Sequence, residues 1–578
     1  MYRSPASVWT LSLLASLICP SLAVPAPYRN QEQCVLSSKH NVTAGSKGAV
    51  ACETDICSKV GIETIAAGGS AADAMVSTTL CVGVVGMYHS GIGGGGFMLV
   101  RDELGRYETI DFRETAPAAA SRDMYSDNRT ASTLGGLAVG VPGELRGLEY
   151  LHRKYGSLPW KSVVMPSVHI AREGFKVNAD LVRYMASANT DGFLVNDPVW
   201  AQDFAPNGTL LQLGDLISRK RYADTLEKIA NEGIDVFYQG EIAKSIIKTI
   251  KKANGTMTLS DLSNYEVQLK DPLSIKFRDF NLYTTQAPSS GAVMLNILKT
   301  MEKFPVEDLQ NKNLTAHRLV EAMKFAYGAR QELGDPDFIR NLTSYQKAMI
   351  SDEKALQIRN LIFDNMTQAV EMYNPQGLYA VDSPGTSHLV TSDRTGMTVT
   401  STTTVNLLFG SKLMTPDTGI ILNNEMDDFS QPGRRNSFGY EPSPANFIAP
   451  FKRPLSSITP LIVEHASNGT LFFATGAAGG SRIISATMQV AWNIISGNVN
   501  SMYGAIAAPR LHHQLMPDVL NVETGYDAGA FASLQAKKHN VTWIAPGQSA
   551  AQGLLRFWNG TFQAVGETRQ LNSGGYTV

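Results

Sequence analysis

An excess of either charge is almost lacking in this 578-residue chain, where 50 Lys and Arg stand against 52 Asp and Glu for a net charge of −2. So even a balance gives no footprint for a polyanion, and nucleic acid is not expected as a partner. Long hydrophobic runs are missing after residue 30, so internal membrane spans, which need about 20 apolar residues, are not expected. Cysteine is scarce: Cys19, Cys34, Cys52, Cys57 and Cys81 are all of it, with no histidine among them at zinc spacing. No metal site is expected. The run Gly91-Ile-Gly-Gly-Gly-Gly96 lacks the Lys-Ser/Thr of a phosphate loop and the strand–turn–helix setting of a dinucleotide site. It reads instead as a close backbone crossing, and no cofactor is expected. No internal repeat or low-complexity block occurs.

What is present is ordinary globular composition, 43% hydrophobic and 18% charged, enough for one large domain or about three to four average ones. The N-terminus reads as an address. Arg3 precedes an apolar stretch from Val8 to Cys19, Pro20 breaks it, and Ser21-Leu22-Ala23 forms a small-x-small cleavage site. Residues 1–23 are thus expected to be a signal peptide, with the mature chain starting at Val24. Ten N-x-T sequons, at Asn41, Asn128, Asn207, Asn254, Asn313, Asn341, Asn365, Asn468, Asn540 and Asn559, point to the same secretory route. Extracellular release is expected, with vacuolar delivery and membrane retention left open. The four mature cysteines read as disulfides with three possible connectivities.

Periodicity organises the rest. Ile56 to Met87 is helical, interrupted at Gly68-Gly69 with Ser70 as a new N-cap. Met98 to Arg101 and Tyr107 to Phe112 form a hairpin, and Pro142 to Tyr155 a helix closed by Gly156. Lys161 to Glu173, Ala223 to Ala230 and Leu314 to Gln331 are further amphipathic helices. At residue 386 the pattern changes to strands, Thr386 to Ser392 and Met397 to Leu408, joined by the turn Asp393 to Gly396. Eight threonines fall within residues 386–404. The strand Leu471 to Ala474 precedes the block Thr475 to Gly480 and the helix Ile483 to Ile495. Helices, then strands, then helices suggest a layered α/β domain.

Several blocks could carry chemistry. Arg113 ends a strand, where a surface ion pair is the plain reading and a bidentate carboxylate clamp the functional one. Asn423 to Phe429 crowds three acids and two amides after an apolar strand. It lacks the oxygen spacing of an EF-hand and could hold an ammonium. Ser456 and Ser457 are turn residues or hydroxyl donors for a carboxylate. Gly479 and Gly480 are packing glycines or oxyanion donors.

Read together, Gly385-Thr-Ser-His-Leu389, Thr402 to Asn406, Asn423 to Ser430, Pro442 to Phe447, Pro454 to Ser457 and Gly476 to Gly480 resemble the γ-glutamyltransferases. His89 to Gly94, Gly68 to Asp73 and Asp111 to Glu114 carry the same resemblance, which runs from about residue 36 to the C-terminus. It implies a four-layer αββα sandwich of the N-terminal-nucleophile hydrolase type, made as one chain that cuts itself between Gly385 and Thr386. The large subunit would be 24–385 and the small subunit 386–578, both building one interleaved domain as a heterodimer. It further implies Thr386 as nucleophile, Thr404 as its orienting hydroxyl, and Gly479 and Gly480 as oxyanion donors. Arg113, Ser456 and Ser457 would hold the α-carboxylate of a γ-glutamyl group, and Asn406, Glu425 and Asp428 its α-ammonium. Glutathione is the expected donor, with water, an amino acid or a dipeptide as acceptor. Cys57 and Cys81 match a family disulfide, leaving Cys34 and Cys52 as a second pair.

Two positions depart from the family pattern. Val390 replaces a common Ser, removing a hydroxyl near the site with an expected effect on processing, and Ile458 replaces a common Met in a pocket wall. The alternatives are a glutaryl-type β-lactam acylase of the same fold, which would not need the ammonium-binding set, and an inactive surface glycoprotein.

Overall fold

The computed structural model describes residues 45–379, 385–436 and 439–578. The signal segment 1–23, Cys34 and Asn41 lie outside the described residues. Two large sheets dominate. Their strands in chain order are β1 (Gly48–Cys52), β2 (Gly95–Arg101), β3 (Tyr107–Asp111), β4 (Gln268–Lys270), β5 (Leu273–Phe277), β6 (Phe280–Thr284), β7 (Ser387–Asp393), β8 (Thr398–Thr404), β9 (Leu461–His465), β10 (Leu471–Ala478), β11 (Ala550–Arg556), β12 (Phe562–Val565) and β13 (Gly574–Thr577). The first sheet runs β13-β1-β7-β8-β2-β3-β4 and the second β12-β11-β10-β9-β6-β5. In both sheets, strands from before and after Gly385 lie side by side, so a cut there would leave one interleaved body.

The apolar layer between the sheets is built from Ala49, Ala51, Leu99 and Val390 on one side and Ile462, Ala474 and Leu554 on the other. Helices α1 (Asp55–Ala66) and α2 (Ala71–Val85) cover the first sheet. Helices α3 (Gly291–Glu302) and α4 (Arg482–Ile495) cover the second. This is the αββα sandwich that the resemblance implies. Among the described residues no helix is long and apolar enough to cross a membrane.

Local chemistry explains the joints. Ser70 caps α2 through a reciprocal box, its hydroxyl accepting from Asp73 N (3.2 Å) while the Asp73 carboxylate accepts from Ser70 N (2.8 Å). In the β7–β8 turn, Asp393 accepts from Thr395 N at 2.9 Å, and its other oxygen accepts from Ala71 N at the start of α2. Cys57 and Cys81 are disulfide-bonded and tie α1 to α2. Cys52 is a buried thiol on β1, its Sγ 3.1 Å from Thr54 O, and burial pushes it up to about 11.

The second threonine-rich strand is shorter than the sequence pattern suggests. It ends at Thr404 rather than Leu408 because Asn406, Phe409 and Gly410 turn into positive φ (73°, 60° and 57°). The strand expected over Leu471 to Ala474 continues to Ala478. Val390 also corrects an expectation. Its side chain sits in the apolar layer between the sheets, four residues and roughly 13 Å of strand from Thr386, so the hydroxyl it lacks would not lie beside Thr386.

Candidate active site

The strand hairpin brings its two chemical ends together. In the β7–β8 register Ser387 faces Thr403, which leaves Gly385, Thr386 and Thr404 at one edge of the sandwich. Ser387 Oγ donates to Glu53 at 2.5 Å, and the other Glu53 oxygen meets His89 Nδ1 at 3.0 Å. The His89 block thereby seats the start of the strand. Thr386 Oγ1 donates to Gly385 O at 2.5 Å, and Thr404 Oγ1 donates to the same oxygen at 2.7 Å. Thr404 Oγ1 in turn accepts from Asn406 N at 2.7 Å, which fixes the direction of its proton. The Gly385 carbonyl is therefore polarised by two hydroxyls, one belonging to the residue that follows it.

Glycine is required here. Gly385 has φ +144°, and a Cβ on it would lie 2.0 Å from Asn406 O. The same holds for the glycine run, where a Cβ on Gly93 would meet Ile421 O and one on Gly94 would meet Thr404 O, each at 2.0 Å. The run is the close crossing that its composition suggests.

Arg113 is fully buried rather than a surface pair. Its Nη1 pairs with Glu425 and its Nη2 with Asp428, while Nε donates to Pro454 O at 3.3 Å. Glu425 and Asp428 stand on one 3-10 turn, Glu425–Asp428, held by the preceding amides. Asn423 Nδ2 donates to Gly93 O (2.7 Å) and Gly140 O (2.8 Å), and Asn424 Nδ2 to Thr133 O (2.9 Å). Asn406 Nδ2 donates to Asn424 O at 2.9 Å. Burial pushes the Glu425 carboxyl upward, to about 8, with Arg113 opposing and Asp428 adding to the rise. Glu114, buried behind Arg113 with neither oxygen hydrogen-bonded, is raised well above the carboxylate range by burial and by Glu425.

One pocket is lined by Arg113, Thr386, Thr404, Asn406, Glu425, Asp428, Ser456, Ser457 and Gly480. Gly479 stands just behind, and the pair turns from β10 into α4 with φ of +125° and +60°. Leu455, Ile458 and Ile483 supply the apolar wall, so Ile458 shapes the pocket without removing a polar contact. Arg330 also lines the pocket, and the sequence reading missed it. The signal was available: Arg330 follows Ala326 and Tyr327 at helical spacing, a cation on the buried face of the helix Lys312–Arg330.

A second polar cluster is built on the helix Lys312–Arg330. His317, Glu321 and His539 place ligand-type atoms within 4.8 Å of one another. The two imidazoles, however, bond each other at 2.8 Å, whereas two ligands of one tetrahedral zinc stand roughly 3.3 Å apart. Glu321 already accepts from Thr367 Oγ1 (2.6 Å) and Tyr373 OH (2.5 Å), and Lys324 adds a cation nearby. The geometry is that of a hydrogen-bonded network. All nine sequon asparagines among the described residues are exposed.

A model of the gamma-glutamyltranspeptidase family matches residues 57–576. The glutathione hydrolase proenzyme of Arthroderma benhamiae is 51% identical over 547 residues, covering 92% of this chain and 93% of that protein. The glutathione hydrolase proenzyme of Escherichia coli is 34% identical over 571 residues, 97% of each chain. Among solved structures, the cephalosporin acylase of Bacillus halodurans matches with a TM-score of 0.80 over 95% of this chain and 99% of its own, at 24% identity, a likeness of fold. With its threonine-led hairpin, buried arginine and paired acids in one pocket, this chain belongs to the γ-glutamyltranspeptidase family of enzymes.

Proposed function

We propose that the chain is a precursor that cuts itself between Gly385 and Thr386 and then moves γ-glutamyl groups, glutathione being the donor. In the cut, Thr386 Oγ attacks the Gly385 carbonyl carbon and the peptide nitrogen leaves with a proton, giving an ester that water hydrolyses. Subunits 24–385 and 386–578 result. The freed α-amine, with an unperturbed pKa of roughly 7.7 to 8, takes the Oγ proton as Oγ attacks the γ-carbonyl. The backbone N–H groups of Gly479 and Gly480 receive the oxyanion. The proton passes to the leaving amine, and the γ-glutamyl ester on Thr386 goes to water, an amino acid or a dipeptide.

One observation carries the substrate assignment: Arg113 is clasped by Glu425 and Asp428 inside the pocket. A γ-glutamyl group brings both charges needed to open that clasp. Its α-carboxylate takes Arg113, Ser456 and Ser457, while its α-ammonium takes Glu425, Asp428 and Asn406. Each charge-assisted hydrogen bond contributes about 1.5 to 3 kcal/mol. A glutaryl chain supplies only the carboxylate and would take Arg113 from the buried Glu425 and the partly buried Asp428 while bringing no cation in return, an unfavourable exchange. The acylase reading is therefore disfavoured. The test compares release from a γ-glutamyl anilide and a glutaryl anilide by the cleaved protein. Release from the first alone is expected; equal release from both would refute the assignment. The exposed sequons and the N-terminal address support a secreted glycoprotein, checked by a mobility shift on deglycosylation of the exported protein.

A further inference from the structure

We propose that Arg330 is a positioning residue that turns the paired serines into one-way donors facing the substrate carboxylate. The proposal rests on the γ-glutamyl reading above. Arg330 closes the helix Lys312–Arg330 and is 5% exposed. Its Nη2 donates to Ser457 Oγ at 3.0 Å and its Nε to Ser290 Oγ at 3.1 Å. A guanidinium has five N–H donors and no acceptor, so both serine oxygens must accept.

The consequence propagates by hydrogen-bond direction. Ser290, accepting from Arg330, donates its own proton to Ser456 O at 2.6 Å, and its backbone N–H donates to Ile458 O at 3.0 Å. The Ser456–Ile458 segment is thus gripped through Ser290. Ser456 Oγ accepts from Ile458 N at 3.2 Å. Each pocket serine therefore has an oxygen engaged as an acceptor and a proton to give. A carboxylate accepts only, so two hydroxyls fixed in this sense match it, and a hydroxyl free to rotate would present its lone pairs part of the time. Like Arg113, Arg330 belongs to residues before the cut and orders groups that come after it.

The test uses the cleaved enzyme and two anilides differing only in the α-carboxylate, γ-glutamyl and 4-aminobutyryl. Arg330→Met is expected to raise KM for the γ-glutamyl anilide about tenfold, the loss of one charge-assisted bond and its orienting effect, with kcat within about twofold. The low rate with the 4-aminobutyryl anilide should not change, and Arg330→Lys should recover most of the loss. Combined with Ser457→Ala, Arg330→Met should add less than about threefold. Equal losses on both anilides, or full additivity with Ser457→Ala, would overturn the proposal. If Arg330→Met is not processed, Arg330→Lys carries the same comparison at a smaller expected KM effect, about threefold. Wild-type protein that releases neither anilide would remove the γ-glutamyl reading itself, a failure visible before any variant is made.

Discussion

Thr404→Val separates catalysis of the cut from the fold that houses it. Valine keeps the shape of the side chain and removes one hydroxyl, which donates to Gly385 O at 2.7 Å and accepts from Asn406 N at 2.7 Å. Thr386 Oγ1 also donates to that carbonyl, but it must leave to attack, so Thr404 is the donor that stays while negative charge builds on the oxygen. Loss of one such donor raises a barrier by roughly 2.7 to 4 kcal/mol, about 10²- to 10³-fold in rate. The stranded Asn406 N–H lowers stability by a further ~1 to 3 kcal/mol, which a denaturation midpoint reads separately. A time course of precursor conversion on a denaturing gel measures the rate. Thr404→Ser should cut at close to the wild-type rate. Cutting by Thr404→Val within about threefold of wild type would refute the assignment of Thr404.

Other outcomes follow from the same geometry. Gly385→Ala should slow the cut about 10- to 100-fold, since the Cβ would lie 2.0 Å from Asn406 O at φ +144°; the gel assay checks it. Glu425, raised to about 8 chiefly by burial, must be ionised to hold an ammonium, so inhibition by free glutamate should strengthen as pH rises toward 8, and Glu425→Gln should flatten that slope. His388, buried between Thr400 and Thr402, is pushed down to about 3 by burial. Below pH ~6.5 the unfolded chain therefore binds a proton that the folded one refuses, so its contribution is full above that pH and is lost as pH falls toward 3. The stability gap between wild type and His388→Gln should shift against wild type by about 2 kcal/mol from pH 7 to pH 5, read from denaturant midpoints.

Much of this was legible along the chain because local rules governed it. The Ser70 cap, the hairpin with its Asp393 turn, and the helix closed by Gly156 all follow from residue type and spacing. Residue blocks also named the pocket, since Thr386, Arg113, Glu425 and Ser456 sit in motifs of distinctive composition. What the sequence hid depends on distant partners. The burial of Arg113 is one such feature: taken alone the residue reads as a surface cation, and only the crossing of its strand end with the acidic turn, 312 residues later, buries it. Arg330 sits in a helix that the sequence marks, Leu314 to Gln331, but its contact with Ser457, 127 residues on, exists only in the folded chain. The early end of β8 reflects Asn406 taking positive φ, a tertiary demand that a β-branched run does not announce.

N-terminal sequencing of the purified, deglycosylated protein tests the central claim most directly. Self-cleavage that frees Thr386 requires two chains, the smaller beginning Thr-Ser-His-Leu-Val. One uncut chain in an active sample, or a new terminus at any other residue, would contradict it.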